Sequence, residues 1–241
     1  MLTKTKAIVL HSFKYGEMQM IVDLLTEQCG RQACILRLPK SSKGKLKKQY
    51  FQPLFILEVV LDIRQHSNLQ HIKEARVVNP FISIPFNPYK LSISLFIAEF
   101  LRCATRREQT DSTMFSYIEN SILWLDGCED QFANFHLVFA MRLTKFFGFY
   151  PNLEDYGHGK WFDLRSSSFS SAPPLHRDYL APAEADLIQV MMRMNFPTMH
   201  LYKMSRLERN RLLDVILDYY RIHIPDFPEM KSIEVLKELF T

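Results

Sequence analysis

Over residues 1–80 apolar side chains alternate with polar ones in five short runs, and the alternation stops at Asn79-Pro80. A period of two marks half-buried strands, because successive side chains leave a strand on opposite faces. The runs fall at 4–11, 18–26, 31–38, 53–63 and 69–78. In the second, Met20, Val22 and Leu24 alternate with Gln19, Ile21 and Asp23. In the fourth, Phe55, Leu57, Val59, Leu61 and Ile63 share a face. Tyr15-Gly16 and Cys29-Gly30 supply turns. Five antiparallel strands in eighty residues fit a small barrel of the OB type.

Beyond Pro80, Pro85 and Pro88 the apolar spacing becomes helical. Helices are expected at 88–105, from Asp111 or Ser112 to Gly127, and at 131–147, 182–195, 205–222 and 231–240. Ser205-Arg206-Leu207-Glu208 has the spacing of a capping box. Residues 149–181 read as a loop-rich insert. The expected architecture is therefore α+β with two domains, an OB-type barrel over 1–80 and an α-helical domain over 81–241.

Charge follows the same division. Residues 1–80 hold thirteen Lys and Arg against six Asp and Glu, a formal +7, whereas residues 81–241 carry −3. Five lysines, Lys40, Lys43, Lys45, Lys47 and Lys48, fall within nine residues. Such a density attracts polyanions, since each cation placed near a phosphate releases a condensed counterion. Arg31 and Arg37 share a face of the third strand, with Ala33 and Ile35 between them. These seven cations are the candidate nucleic-acid contacts. With no base-reading code in view, binding should be indifferent to base sequence. Phe13 and Tyr15 are expected to finish the barrel core, with base stacking as the other reading.

Other classes are disfavoured. The chain has seven glycines and no phosphate-cradling glycine motif, acidic metal cluster or nucleophile motif, so it is not expected to be an enzyme. Cys29, Cys34, Cys103 and Cys128 form no Cys-x-x-Cys pair and read as buried hydrophobes. No run approaches the roughly 20 apolar residues that span a bilayer. The first residues lack the features of a signal peptide, so a cytoplasmic location is expected.

Several segments resemble one family. Thr5-Lys6-Ala7-Ile8-Val9-Leu10, then Tyr15-Gly16-Glu17, then Val22-Asp23-Leu24-Leu25-Thr26 and Gly30, is similar to the opening of the bacterial recombination mediator family RecO. Phe146-Phe147-Gly148-Phe149-Tyr150-Pro151, Tyr219-Tyr220-Arg221-Ile222-His223-Ile224 and Lys231-Ser232 resemble its later motifs, in the right order. The resemblance implies a non-catalytic DNA repair and recombination protein. It would bind single- and double-stranded DNA, anneal strands and, with RecR, load recombinase onto DNA coated by single-stranded-DNA-binding protein. It would be nucleoid-associated during repair. The alternative is an RNA-binding OB-fold protein.

The resemblance also implies an acidic, phenylalanine-bearing tail as partner, contributed by the single-stranded-DNA-binding protein. Two basic clusters beside apolar helix fit that chemistry, Arg102/Arg106/Arg107 and Arg142/Lys145. The first is read foremost as favourable charge at a helix C-terminus, with tail docking as the other reading. Many members of the family hold zinc through two Cys-x-x-Cys pairs. The corresponding stretch here, 153–176, contains no cysteine. His158, His176 and Asp155 would supply three ligands at most, short of the usual four. No metal and no cofactor are expected, with an aromatic cluster in their place.

Overall fold

The computed structural model describes residues 1–38, 46–64, 66–106 and 110–239. The chain forms two compact units, one of residues 1–127 and 230–236, the other of 128–229 and 237–241.

In the first unit, β1 (Leu2–Tyr15), β2 (Gln19–Thr26), β3 (Gly30–Arg37), β4 (Ile56–Asp62) and β5 (Gln70–Val77) close a barrel in the order β1-β2-β3-β5-β4. All neighbours are antiparallel except β3 and β5, which close the barrel as a parallel pair through Cys34 with Gln70 and Ile35 with His71. That order is the OB arrangement, and closure leaves no free sheet edge. The core has the expected parity. Met20, Val22, Leu24, Leu57, Val59 and Leu61 point inward with Ala7, Val9, Cys34, Leu36, Ile72 and Ala75. Phe55 and Ile63 pack against that core from its ends. A single 3-10 turn at Lys48–Phe51 inserts Phe51 as a plug, and Ser12 Oγ donates to Phe51 O at 2.7 Å.

The same unit contains α1 (Pro88–Ala104) and α2 (Ser112–Gly127). Asn87 caps α1 by accepting from the N–H groups of Tyr89 and Lys90, with Pro88 in the first turn. α1 packs against β1, and Lys6 of β1 meets Glu119 of α2 at 2.9 Å. Glu99 of α1 accepts from the N–H groups of Lys231 and Ser232, which open α6 (Ser232–Glu238).

The second unit is built on α3 (Phe135–Leu143), α4 (Pro182–Arg193) and α5 (Arg206–His223). The helix expected at 131–147 is α-helical only over Phe135–Leu143. From Thr144 to Phe147 the chain continues through i→i−3 bonds and ends at Gly148, whose φ of 79° is left-handed. The capping box before α5 is present, with Ser205 and Glu208 bonded reciprocally. The loop-rich insert contains a small sheet of β6 (Trp161–Asp163), β7 (Ser168–Ser170) and β8 (Tyr179–Leu180), in the order β7-β6-β8. Strands of two or three residues are too short to display an alternation.

Candidate nucleic-acid interface

The outer face of β1–β3 is divided into a covered and an open end. At the covered end Ile8 and Leu25 pair across β1 and β2, both are buried, and α1 lies against β1. Arg31, opposite Leu25 on β3, is taken up there. Its Nη1 donates to Arg102 O at 2.6 Å and its Nη2 to Asp23 Oδ2 at 3.1 Å. Arg31 and Arg37 do share a face, but six residues of strand, about 20 Å, carry Arg37 to the open end, where it is exposed.

At the open end two rows of side chains cross three strands. Phe13, Ile21 and Ile35 form one, and Tyr15, Gln19 and Arg37 the other. Phe13 is 47% exposed and Tyr15 53% exposed, which corrects the expectation that both finish the core. The cause is a bulge in β1. Val9 pairs with Leu24 and His11 with Asp23, leaving Leu10 as an extra residue. One extra residue reverses which face every later side chain takes. With unbroken alternation Phe13 and Tyr15 would follow Ala7 and Val9 inward. With the bulge Ser12 pairs with Val22 on the inner face and the aromatic rings turn out.

Charge pairing differs between the two sides of the barrel. Glu58 holds Lys4 at 3.1 Å and Arg76 at 2.6 Å, and these cations hold its carboxyl down at about 2. Asp62 is within 3.8 Å of the N-terminal amine and also meets Arg64 and Lys73. These five cations thus each have a carboxylate partner, although they share only two carboxylates between them. Lys14, Arg37, Lys47 and Lys48 are exposed and, among the described residues, have no carboxylate partner. Lys47 Nζ lies 5.9 Å from the centre of the Tyr50 ring. Lys40, Lys43 and Lys45 fall outside the described residues. Lys14 belongs to this set although sequence reasoning passed over it, since a lysine beside a turn carries no distinguishing signal.

The two basic clusters singled out for an acidic tail are placed differently from one another. Arg106 is exposed, Arg102 is half-buried with its carbonyl bound by Arg31, and Arg107 lies outside the described residues. In the second unit Arg142 donates to Met194 O through Nε at 3.2 Å and Nη2 at 2.8 Å, closing the end of α4, while Lys145 is exposed. A separate groove of about 460 Å³ runs between α4, the segment 202–204 and α5. Leu187, Val190, Tyr202, Met204, Leu207 and Leu212 line it together with Lys203, Glu208 and Arg211, the last held by Glu184 at 2.6 Å. Sequence reasoning missed it, because its wall joins residues from three separate stretches.

The residues of the insert do not fit a zinc site. His158 Nδ1 is 3.2 Å from Asp186, whereas His176 Nε2 is 3.4 Å from Asp163, so the two imidazoles serve different carboxylates. Among the described residues no three His, Cys, Asp or Glu side chains come together as metal ligands. Aromatic contacts fill the insert instead. Phe162 and Phe169 centroids are 4.9 Å apart, Tyr156 and Phe169 5.2 Å, and Trp161 and Tyr179 5.0 Å.

These features define a class, an α+β protein on a closed OB-type barrel with one end of its β1–β3 face open. Comparison with known proteins narrows the class. Residues 1–81 match the family model for the N-terminal part of recombination protein O, and residues 85–232 match that for its C-terminal part. The chain is 51% identical to the DNA repair protein RecO of Phocaeicola vulgatus and 50% identical to that of Bacteroides fragilis, over all of each chain. It is 35% identical to the DNA repair protein RecO of Flavobacterium psychrophilum over 99% of both. The chain belongs to the RecO family.

Proposed function

We propose that this chain is a DNA repair and recombination mediator. It holds DNA on the open end of the β1–β3 face without reading base sequence, anneals complementary strands, and works with RecR to load recombinase. The observation that carries the reading is the group of exposed cations, Lys14, Arg37, Lys47 and Lys48, which have no carboxylate partner among the described residues, on an OB-type barrel in a RecO-family chain. The lysine run from Lys40 to Lys48 adds charge to the same connection between β3 and β4. A site of this composition tracks phosphates and performs no bond chemistry, so the protein acts without catalysis of its own. Its place of action is the cytoplasm; among the described residues no helix is long and apolar enough to cross a membrane.

The acidic tail of the single-stranded-DNA-binding protein is the second partner. The apolar groove with Lys203 in its lining supports that reading, since an aromatic side chain with a neighbouring carboxylate needs an apolar slot beside a cation. Arg106 and Lys145 are the exposed members of the two clusters read from sequence.

The deciding assay is annealing of complementary DNA strands coated with the cognate single-stranded-DNA-binding protein; a protein that leaves them unpaired is not a mediator of this kind. Alanine at Lys43, Lys45, Lys47 and Lys48 together is expected to weaken single-strand binding. It should also flatten the slope of log affinity against log salt by up to about 0.7 per lost phosphate contact. A slope identical to that of the parent protein would remove the lysines from the interface.

We also propose that the second unit folds without metal. Protein purified without added zinc should carry well below one equivalent, and a chelator should leave its thermal transition in place. A structural zinc would contribute roughly 10 kcal/mol or more to folding, so a tightly held stoichiometric ion would overturn this.

A further inference from the structure

We infer that Phe13 and Tyr15 are base-stacking platforms that give this protein a preference for single-stranded over duplex DNA. The inference rests on the proposed DNA-binding role and adds the means by which an unpaired strand is distinguished. The β1 bulge turns both rings out of the barrel on the same face, at positions two residues apart and therefore about 7 Å along the strand. Ile21 and Ile35 extend the apolar row beside Phe13, and both are half-buried. Arg37 stands across Gln19 from Tyr15, about 10 Å away at two strand spacings. The face therefore offers rings along one line, beside a cation that has no carboxylate partner among the described residues.

The occupant follows from that pairing. An acidic protein segment would satisfy the cations but would leave two neighbouring rings without flat partners. A duplex would satisfy the cations while its base faces stay hidden in its own stack. A single strand satisfies both, because every unpaired base has a π-face and every nucleotide a phosphate. Stacking of this kind is tolerant of base identity, in keeping with binding that ignores sequence.

The test uses the full chain carrying F13A and Y15A together, with oligo(dT), an abasic strand of equal length and a duplex of equal length as probes. Both side chains are exposed, so the thermal transition should match that of the parent protein. The variant is expected to lose at least about tenfold in affinity for oligo(dT), because two base-stacking platforms are removed at once. It should change less than twofold for the duplex and the abasic strand, with its salt slope unaltered. In a second variant, Y15W, tryptophan emission should be quenched by oligo(dT) and not by the abasic strand. Unchanged oligo(dT) affinity in the double variant, or an equal loss for all three probes, overturns the stacking inference while leaving the mediator reading intact. Failure of the parent protein to bind any of the three probes overturns both.

Discussion

Acidification from pH 7 to pH 4 is expected to remove several kcal/mol of stability from the second unit, through His136. This side chain is 2% exposed on α3, and burial, assisted by the nearby Arg209 guanidinium, pushes its pKa from 6.5 down to about 3. Arg209 is held in place by Asn134 Oδ1 at 3.0 Å and Met204 O at 3.0 Å, so its charge stays close to the imidazole. Below pH 6.5 the unfolded chain takes up a proton that the folded chain refuses until about pH 3. The stabilisation is complete above pH 6.5 and is lost progressively as the pH falls towards 3. The gap between the two values corresponds to about 4–5 kcal/mol at most, of which the greater part is gone by pH 4. Denaturant unfolding measured at intervals between pH 4 and 7 checks this. His136→Gln should flatten the dependence in that window, and a dependence as steep as the parent's would assign it to the carboxylates instead.

Phe149→Ala is expected to cost about 3–5 kcal/mol of unfolding free energy, the range for removing a buried aromatic ring. Phe149 is 6% exposed and stacks on His223 with centroids 4.5 Å apart. Its edges meet Tyr219 at 5.3 Å and Tyr220 at 5.1 Å. Its carbonyl accepts from Tyr219 Oη at 2.6 Å, which fixes the backbone leaving Gly148. Truncation therefore removes ring contacts to three residues of α5 at once. Tyr150, the next residue, is exposed, and its alanine variant should cost less than about 1 kcal/mol. Urea denaturation of the two variants at pH 7 makes the comparison. Equal losses would show that the Phe146–Pro151 segment acts as a unit rather than through the Phe149 ring.

The motif containing Phe149 shows how far the residues alone reach. Phe146-Phe147-Gly148-Phe149-Tyr150-Pro151 and Tyr219-Tyr220-Arg221-Ile222-His223 stand out separately as family signatures. Their mutual packing joins segments about seventy residues apart, and no local pattern encodes it. The insert behaves in the same way. Its lack of cysteine is plain from the residues, whereas the β7-β6-β8 sheet and the ring contacts among Tyr156, Phe162 and Phe169 appear only once the chain is folded.

By itself the sequence determined the barrel, the core parity of β2, β3 and β4, the change to helix after Pro80 and the basic character of the first eighty residues. Each of these is local, because side-chain period and charge density are properties of short stretches. Tertiary structure alone decided which candidate residues remain available. Arg31 and Arg37 look alike in the sequence, but α1 covers one end of their shared face and Asp23 and Arg102 O engage Arg31. Phe13 and Tyr15 read as core by parity, but the pairing of β1 with β2 leaves Leu10 as an extra residue and turns both rings outward. A bulge belongs to the alignment of two strands rather than to either one, so the periodicity of β1 could not reveal it.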